Sequence, residues 1–127
     1  MNFDKYIGLP YVDRGCWELV RLVYREMLSI NLPDYAAEYA KISEDAREEL
    51  RDLIVNNRSA WASVSAGNER SGDAVLFRML GQPSHIGVVT ASGFFLHVRA
   101  GQLSCVEPYR SPKWLPRLDG FYRHENL

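Results

Sequence analysis

Two spacings of apolar residues divide the chain. Between Trp17 and Leu28, the residues Trp17, Leu19, Val20, Val23, Tyr24, Met27 and Leu28 recur three and four apart, as on one face of a helix. This predicts a helix over 15–29, stopped by Asn31-Leu32-Pro33-Asp34 because the residue before a proline avoids helical geometry. Ahead of it, residues 1–15 read as irregular, with one helical turn at 3–7. The stretch 35–42 is ambiguous, since Tyr35, Tyr39 and Ile42 suit either a weak helical face or a packed loop. A second helix is expected from Ser43, a good N-cap followed by Glu44 and Asp45, with Leu50, Leu53 and Ile54 as its stripe and Asn56-Asn57 as its end. Residues 58–71 carry Trp61 and Val64 but are otherwise small and polar, with a turn at Gly67-Asn68.

From Gly72 onward the pattern becomes strand-like. Short apolar runs at 74–79, 85–90, 94–98 and 103–107 are bounded by Gly72-Asp73, Gly81, Ser92-Gly93 and Gly101. Ser92-Gly93 reads as a tight hairpin turn. The tail holds Pro108, Pro112 and Pro116 and is expected to be extended, ending in an edge strand over 118–122. Helices first and a meander of strands after imply an α+β domain, N-terminal helices packed on an antiparallel sheet. At 127 residues, without internal repeat or linker, the chain reads as one domain over 1–127.

Composition narrows the function classes. A formal net charge of -1 lacks the basic excess of a nucleic-acid surface. No apolar run approaches the roughly 18 residues of a membrane helix, so neither nucleic acid nor membrane is expected as a partner. Met1-Asn2-Phe3-Asp4-Lys5 lacks the charged-then-apolar pattern of a secretory signal. The expected location is cytoplasmic on synthesis, unless an assembly carries the protein out. Cys16 and Cys105 are too few for a disulfide framework, and a cytosolic chain keeps its thiols reduced.

Candidate chemistry starts at Cys16. Gly8, Pro10, Asp13 and Gly15 precede it and the helical pattern follows, so the cysteine falls in the first turn of a helix. Unpaired N–H groups and the helix dipole there favour a thiolate, although a small buried apolar residue is the alternative reading. His85 opens one strand and His97 lies on the next. A rough hairpin register sets 88 or 89 opposite 97, leaving the two histidines about three residues apart along the sheet. If both point to one face, one imidazole can take the thiol proton while the other group orients it. His124, near the C-terminus, carries no functional weight. A metal held by Cys16, His85 and His97 finds no further ligand at supporting spacing, so neither metal nor cofactor is expected.

The sequence Gly8-Leu9-Pro10-Tyr11, then Cys16-Trp17-Glu18-Leu19-Val20-Arg21-Leu22-Val23-Tyr24-Arg25-Glu26, Leu32-Pro33-Asp34-Tyr35, Gly72-Asp73, His85-Ile86-Gly87-Val88-Val89 and Phe94-Phe95-Leu96-His97 resembles the NlpC-type papain-like cell-wall peptidases. It is most similar to the branch encoded with phage tail genes. The resemblance implies a cysteine endopeptidase that cuts amide bonds in bacterial peptidoglycan stem peptides, commonly between D-glutamate and a diamino acid. Cys16 matches the nucleophile, His85 the general base, His97 the residue that orients the base, and Tyr11 a tyrosine near the oxyanion site. It also implies phage tail proteins as partners and incorporation in a virion. Family members carry Asp before the cysteine and small residues after it, whereas this chain has Gly15 before and Trp17-Glu18 after. An inactive tail-assembly protein that keeps the fold, and a related acyl or amide transferase, therefore remain as alternatives.

Overall fold

The computed structural model describes residues 1–11, 15–33, 60–79 and 82–127, with 82–84 described by their backbone. Helix α1 spans Gly15–Leu28, and six strands follow: β1 Trp61–Val64, β2 Ala74–Met79, β3 Gln82–Ala91, β4 Phe94–His97, β5 Cys105–Pro108 and β6 Leu118–His124. Short 3-10 turns occupy Asp4–Tyr6 and Leu115–Arg117. The second helix expected from Ser43, and the ambiguous stretch 35–42, lie outside the described residues.

α1 ends one residue earlier than expected, where Ser29 turns left-handed at φ 55°. The Ile30 N–H donates back to the Tyr24 carbonyl at 3.1 Å, a C-terminal cap that satisfies an otherwise orphaned carbonyl. The chain then returns along the helix, held by bonds from Trp17 Nε1 to the Pro33 carbonyl and from Arg21 Nε to the Leu32 carbonyl.

The strands form one antiparallel sheet in the order β1-β6-β2-β3-β4-β5. β6 is therefore interior, not the edge strand expected from its sequence. The edges are β5 and, beside β6, β1, which pairs Trp61 with His124 and Val64 with Phe121. Residues 61–64 were unreadable as a strand because Ala62 and Ser63 are exposed and only β6 pairs with them. The other strands follow the apolar runs closely.

Alternate residues of the central strands face opposite ways. Ala74, Leu76, Ile86, Val88 and Leu96 meet α1 through Trp17, Leu19, Val20 and Val23. Val75, Phe77, Val89, Phe95 and Phe121 pack on the other face under Tyr109 and Trp114. Burial on both faces explains why Ala74–Met79 reads as an apolar run and not as an alternation.

Ser104 ties the start of the chain to its far half. Its N–H donates to the Leu9 carbonyl at 2.7 Å, its carbonyl accepts from the Gly8 N–H at 2.8 Å, and its hydroxyl accepts from the Leu9 N–H and donates to the Tyr6 carbonyl. These bonds fix the backbone that leads toward α1. At the other end of the sheet, Asp73 is fully buried and takes both arms of the Arg123 guanidinium at 2.8 Å, plus the Arg70 N–H.

Candidate active site

Cys16 is the second residue of α1 and is half-buried. Pairing between β3 and β4 runs from Ala91↔Phe94 to Val88↔Leu96 and stops there. In the gap beyond, the Cys16 sulfur meets the backbone of Ile86, the residue after His85. Burial pushes the thiol up from its ordinary value, while backbone groups of Ile86, Trp17 and Cys16 itself pull it down and lose. The expected resting thiolate is thus corrected. The helix N-terminus is present, but dehydration of the sulfur outweighs it.

The histidines come together as the second part of the site. His85 Nε2 lies 2.8 Å from His97 Nδ1, the rings meeting edge-on at 81°. The observed register places Val88 opposite Leu96, so His97 falls opposite position 87, two residues from His85. The expected separation of three would have put the rings on opposite faces; the register break between Val89 and Ala91 makes the difference. Gly87 is required in between, since a Cβ there would lie 2.7 Å from the Leu96 carbonyl oxygen and from the Phe95 ring. Trp114 stacks on His85 with centroids 5.5 Å apart, and Phe95 on His97 at 4.3 Å. Burial first, then the charges of His97 and Arg99, push His85 down to about 3, so it is neutral near pH 7.

A third group, which sequence reasoning missed, completes the relay. Glu107 Oε2 sits 2.5 Å from His97 Nε2. Burial alone would raise this carboxyl, but the His97 hydrogen bond, helped by the nearby Trp114 indole N–H, holds it below its ordinary value. A carboxylate only accepts. His97 must therefore carry its proton on Nε2, which leaves Nδ1 to accept from His85 Nε2–H. The remaining lone pair of His85 is then on Nδ1. One carboxylate thus sets the tautomer of two imidazoles and leaves the outer one a base. Glu107 follows Cys105 by two on a strand paired with that of His97, a signal legible only once the pairing is known.

Tyr11 is 36% exposed, and its ring covers Gly15, where a Cβ would lie 2.7 Å from a ring carbon. That contact puts Tyr11 beside the first turn of α1 and explains Gly15, because the ring takes the space of any side chain. Glu18 is turned to Arg21, whose guanidinium donates to both carboxylate oxygens at 2.9 and 3.0 Å. Glu18 is not among the groups that act on the Cys16 thiol.

The structure thus joins His85 to His97 and adds Glu107. It sets Cys16 against the strand position next to His85, with no hydrogen bond between the two among the described residues, and Tyr11, four residues ahead of the helix, over Gly15. His124, set aside as a terminal residue, is buried with its ring edge-on to Trp61 at 5.0 Å. Cys16 and Cys105 are both free thiols. A thiol in the first turn of a helix, set against the backbone next to a neutral imidazole whose far nitrogen is occupied, supplies the residue types that nucleophilic attack on a carbonyl uses.

The sequence model of the NlpC/P60 family matches residues 6–123. No curated protein matches the chain in sequence. Among solved structures, it is similar to a Staphylococcus aureus subsp. aureus Mu50 protein described as similar to lipoprotein, NLP/P60 family, with TM-score 0.62 and 22% identity over 94% of this chain and 37% of that one. A Bacillus cereus ATCC 10987 NlpC/P60 family protein superposes with TM-score 0.65 and 17% identity over 95% and 37%. The NlpC/p60 domain of peptidoglycan hydrolase SagA superposes with TM-score 0.61 and 21% identity over 94% and 89%. The chain spans 37% of the length of the first two. These likenesses show the α+β fold, one helix on a six-stranded antiparallel sheet.

Proposed function

The chain belongs to the NlpC/P60 family, and on that premise we propose that it is a cysteine peptidase acting on the stem peptides of bacterial peptidoglycan. The observation that carries the reading is the relay from Glu107 through His97 to His85, which ends beside the backbone that receives the Cys16 sulfur. Four polar groups arranged in this way serve acyl transfer better than packing.

In this reading the Cys16 thiol attacks the scissile carbonyl as His85 Nδ1 takes its proton. Both groups rest neutral, so the ion pair forms during attack. The charge developing on the carbonyl oxygen is stabilised by backbone N–H groups at the start of α1, with Tyr11 at the rim. His85 returns the proton to the leaving amine, and a water deprotonated by the same nitrogen hydrolyses the thioester. His97 and Glu107 hold the imidazole in place through both steps.

The bond proposed is the one between D-glutamate and the diamino acid, and the setting a phage or prophage tail with tail proteins as partners. The bond rests on the resemblance of residues 8–35 and 72–101 to the NlpC-type family, and the setting on the likeness of residues 8–35 to its phage tail branch. Arg99 and Lys113, which flank Trp114 at 5.8 and 5.2 Å from its ring, add positive charge suited to a peptide rich in carboxylates. Digestion of purified sacculi by wild type and Cys16→Ala, with fragments weighed, tests the proposal. Stem-peptide fragments from wild type alone are expected. Intact sacculi after treatment with folded wild-type protein would overturn it and leave a structural tail component.

A further inference from the structure

We infer that His97, Cys105 and Glu107 form a binding site for a divalent cation of the zinc class, and that its occupancy turns the relay off. The site follows from strand pairing. His97 at the end of β4 lies directly opposite Cys105 at the start of β5, and Glu107, two residues on, shares the face of Cys105. His97 Nε2, Cys105 Sγ and Glu107 Oε2 converge within 4.8 Å of one another. The sulfur is 3.7 Å from the nitrogen and 3.9 Å from the carboxylate oxygen, and the nitrogen and oxygen are 2.5 Å apart.

Those spacings are close to three corners of a zinc tetrahedron. Zinc bonds of about 2.3 Å to sulfur and about 2.0–2.2 Å to nitrogen and oxygen imply ligand–ligand edges of roughly 3.4–3.6 Å. Both edges from the sulfur already lie within a few tenths of an ångström of that range. Only the nitrogen and oxygen must part, by just under about 1 Å, which rotation of the half-exposed Glu107 carboxylate allows. One thiolate, one imidazole and one carboxylate make a donor set for zinc or cobalt, not for calcium or magnesium. The fourth corner is left for water. Lys113, whose ammonium lies 3.6 Å from Glu107 Oε1, is the cation displaced, and half of its side chain is in solvent.

Protons balance as follows. Cys105 loses its thiol proton to solvent and binds as thiolate. The His97 proton leaves Nε2, where the metal now sits, and appears on Nδ1. His97 Nδ1–H then donates to His85 Nε2, whose own proton moves to Nδ1. One proton is released per metal bound, and both imidazoles have changed tautomer. The nitrogen of His85 that would take the Cys16 proton is now occupied. The metal site stands on geometry alone; only the silencing of activity rests on the peptidase reading.

Cobalt separates the two. Wild-type protein titrated with Co2+ should show a thiolate-to-cobalt charge-transfer band, retained in Cys16→Ala and lost in Cys105→Ser. The opposite pattern, band lost in Cys16→Ala and kept in Cys105→Ser, or no band in wild type, would overturn the site. On sacculi, Zn2+ should inhibit wild type, and Cys105→Ser, measured against its own metal-free rate, should need roughly tenfold more or higher, at least the loss seen when groups supporting a metal ligand are removed. Equal zinc sensitivity in the two proteins would overturn the switch. An inactive wild type that still gives the cobalt band would count against the peptidase reading and leave the site standing.

Discussion

Glu107 reaches His97 from the neighbouring strand, across the register that sets His97 opposite Cys105. The carboxylate touches neither thiol nor substrate in the proposed reaction, so it is a positioning residue. Glu107→Ala is expected to lower kcat about tenfold to a hundredfold, the range for groups that orient a functional histidine, with KM little changed. Glu107→Gln keeps an acceptor oxygen and should recover part of the loss. An unchanged kcat in Glu107→Ala would remove Glu107 from the relay.

The raised Cys16 thiol predicts slow alkylation at neutral pH. Thiolate is the reacting form, and a folded value above the ordinary one leaves little of it at pH 7. The rate of iodoacetamide labelling, followed on the peptide that holds Cys16, should rise about tenfold per pH unit through the neutral range, without a plateau. A plateau below pH 7 would mean a preformed ion pair with His85.

Gly87→Ala tests the close approach under His97. The added Cβ meets the Leu96 carbonyl and the Phe95 ring at 2.7 Å and His97 Cβ at 3.3 Å, so β4 must shift. A loss of about 1–3 kcal/mol is expected from overpacking, together with a loss of activity larger than the loss of folded protein. Thermal melts and sacculus digestion on the same sample check both.

Among the described residues, Arg123→Ala leaves the buried Asp73 carboxylate with only the Arg70 N–H as hydrogen-bond partner. Removing one member of a buried pair costs about 3–5 kcal/mol. Here about 3 kcal/mol is expected, since Arg123 is partly in water. The denaturant midpoint should fall with an unchanged slope.

Stability should fall in acid before the carboxylates titrate. His85 is at about 3 in the folded protein against 6.5 ordinarily, and burial also lowers His97 and His124. Between those values the unfolded chain binds the protons that the folded one refuses. His85 therefore supports the fold fully above about pH 6.5 and withdraws about 1.4 kcal/mol per pH unit from there down to about 3, and His97 and His124 act in the same direction. Unfolding curves at pH 7.5 and 5.0 check the sign; equal stability at the two would mean that the rings accept protons while folded.

What the sequence made legible was what depends on near neighbours. The stripe from Trp17 to Leu28 marks α1 because helix contacts repeat every three or four residues, and runs such as Ala74–Met79 mark strands buried on both faces. Cys16, His85 and His97 stood out by position and by family resemblance. Distant partners were hidden. β1 is a strand only because β6 lies beside it, and β6 is interior for the same reason. Glu107 is an ordinary strand carboxylate until His97 is placed opposite Cys105. The charge state of Cys16 went the other way from expectation because dehydration by the packed sheet outweighed the helix end.

The bonds around Ser104 also impose an order of events on the growing chain. Tyr6, Gly8 and Leu9 emerge first from the ribosome, yet their partner follows them by about ninety-five residues. Until the segment after β4 is made, the backbone from Tyr6 to Leu9 lacks these bonds, and Glu107 does not yet exist. A half-made chain, or one cut short before Ser104, thus carries Cys16 as an idle thiol. Assembly of the proposed nucleophile with its relay is deferred until the segment through Glu107 has been made.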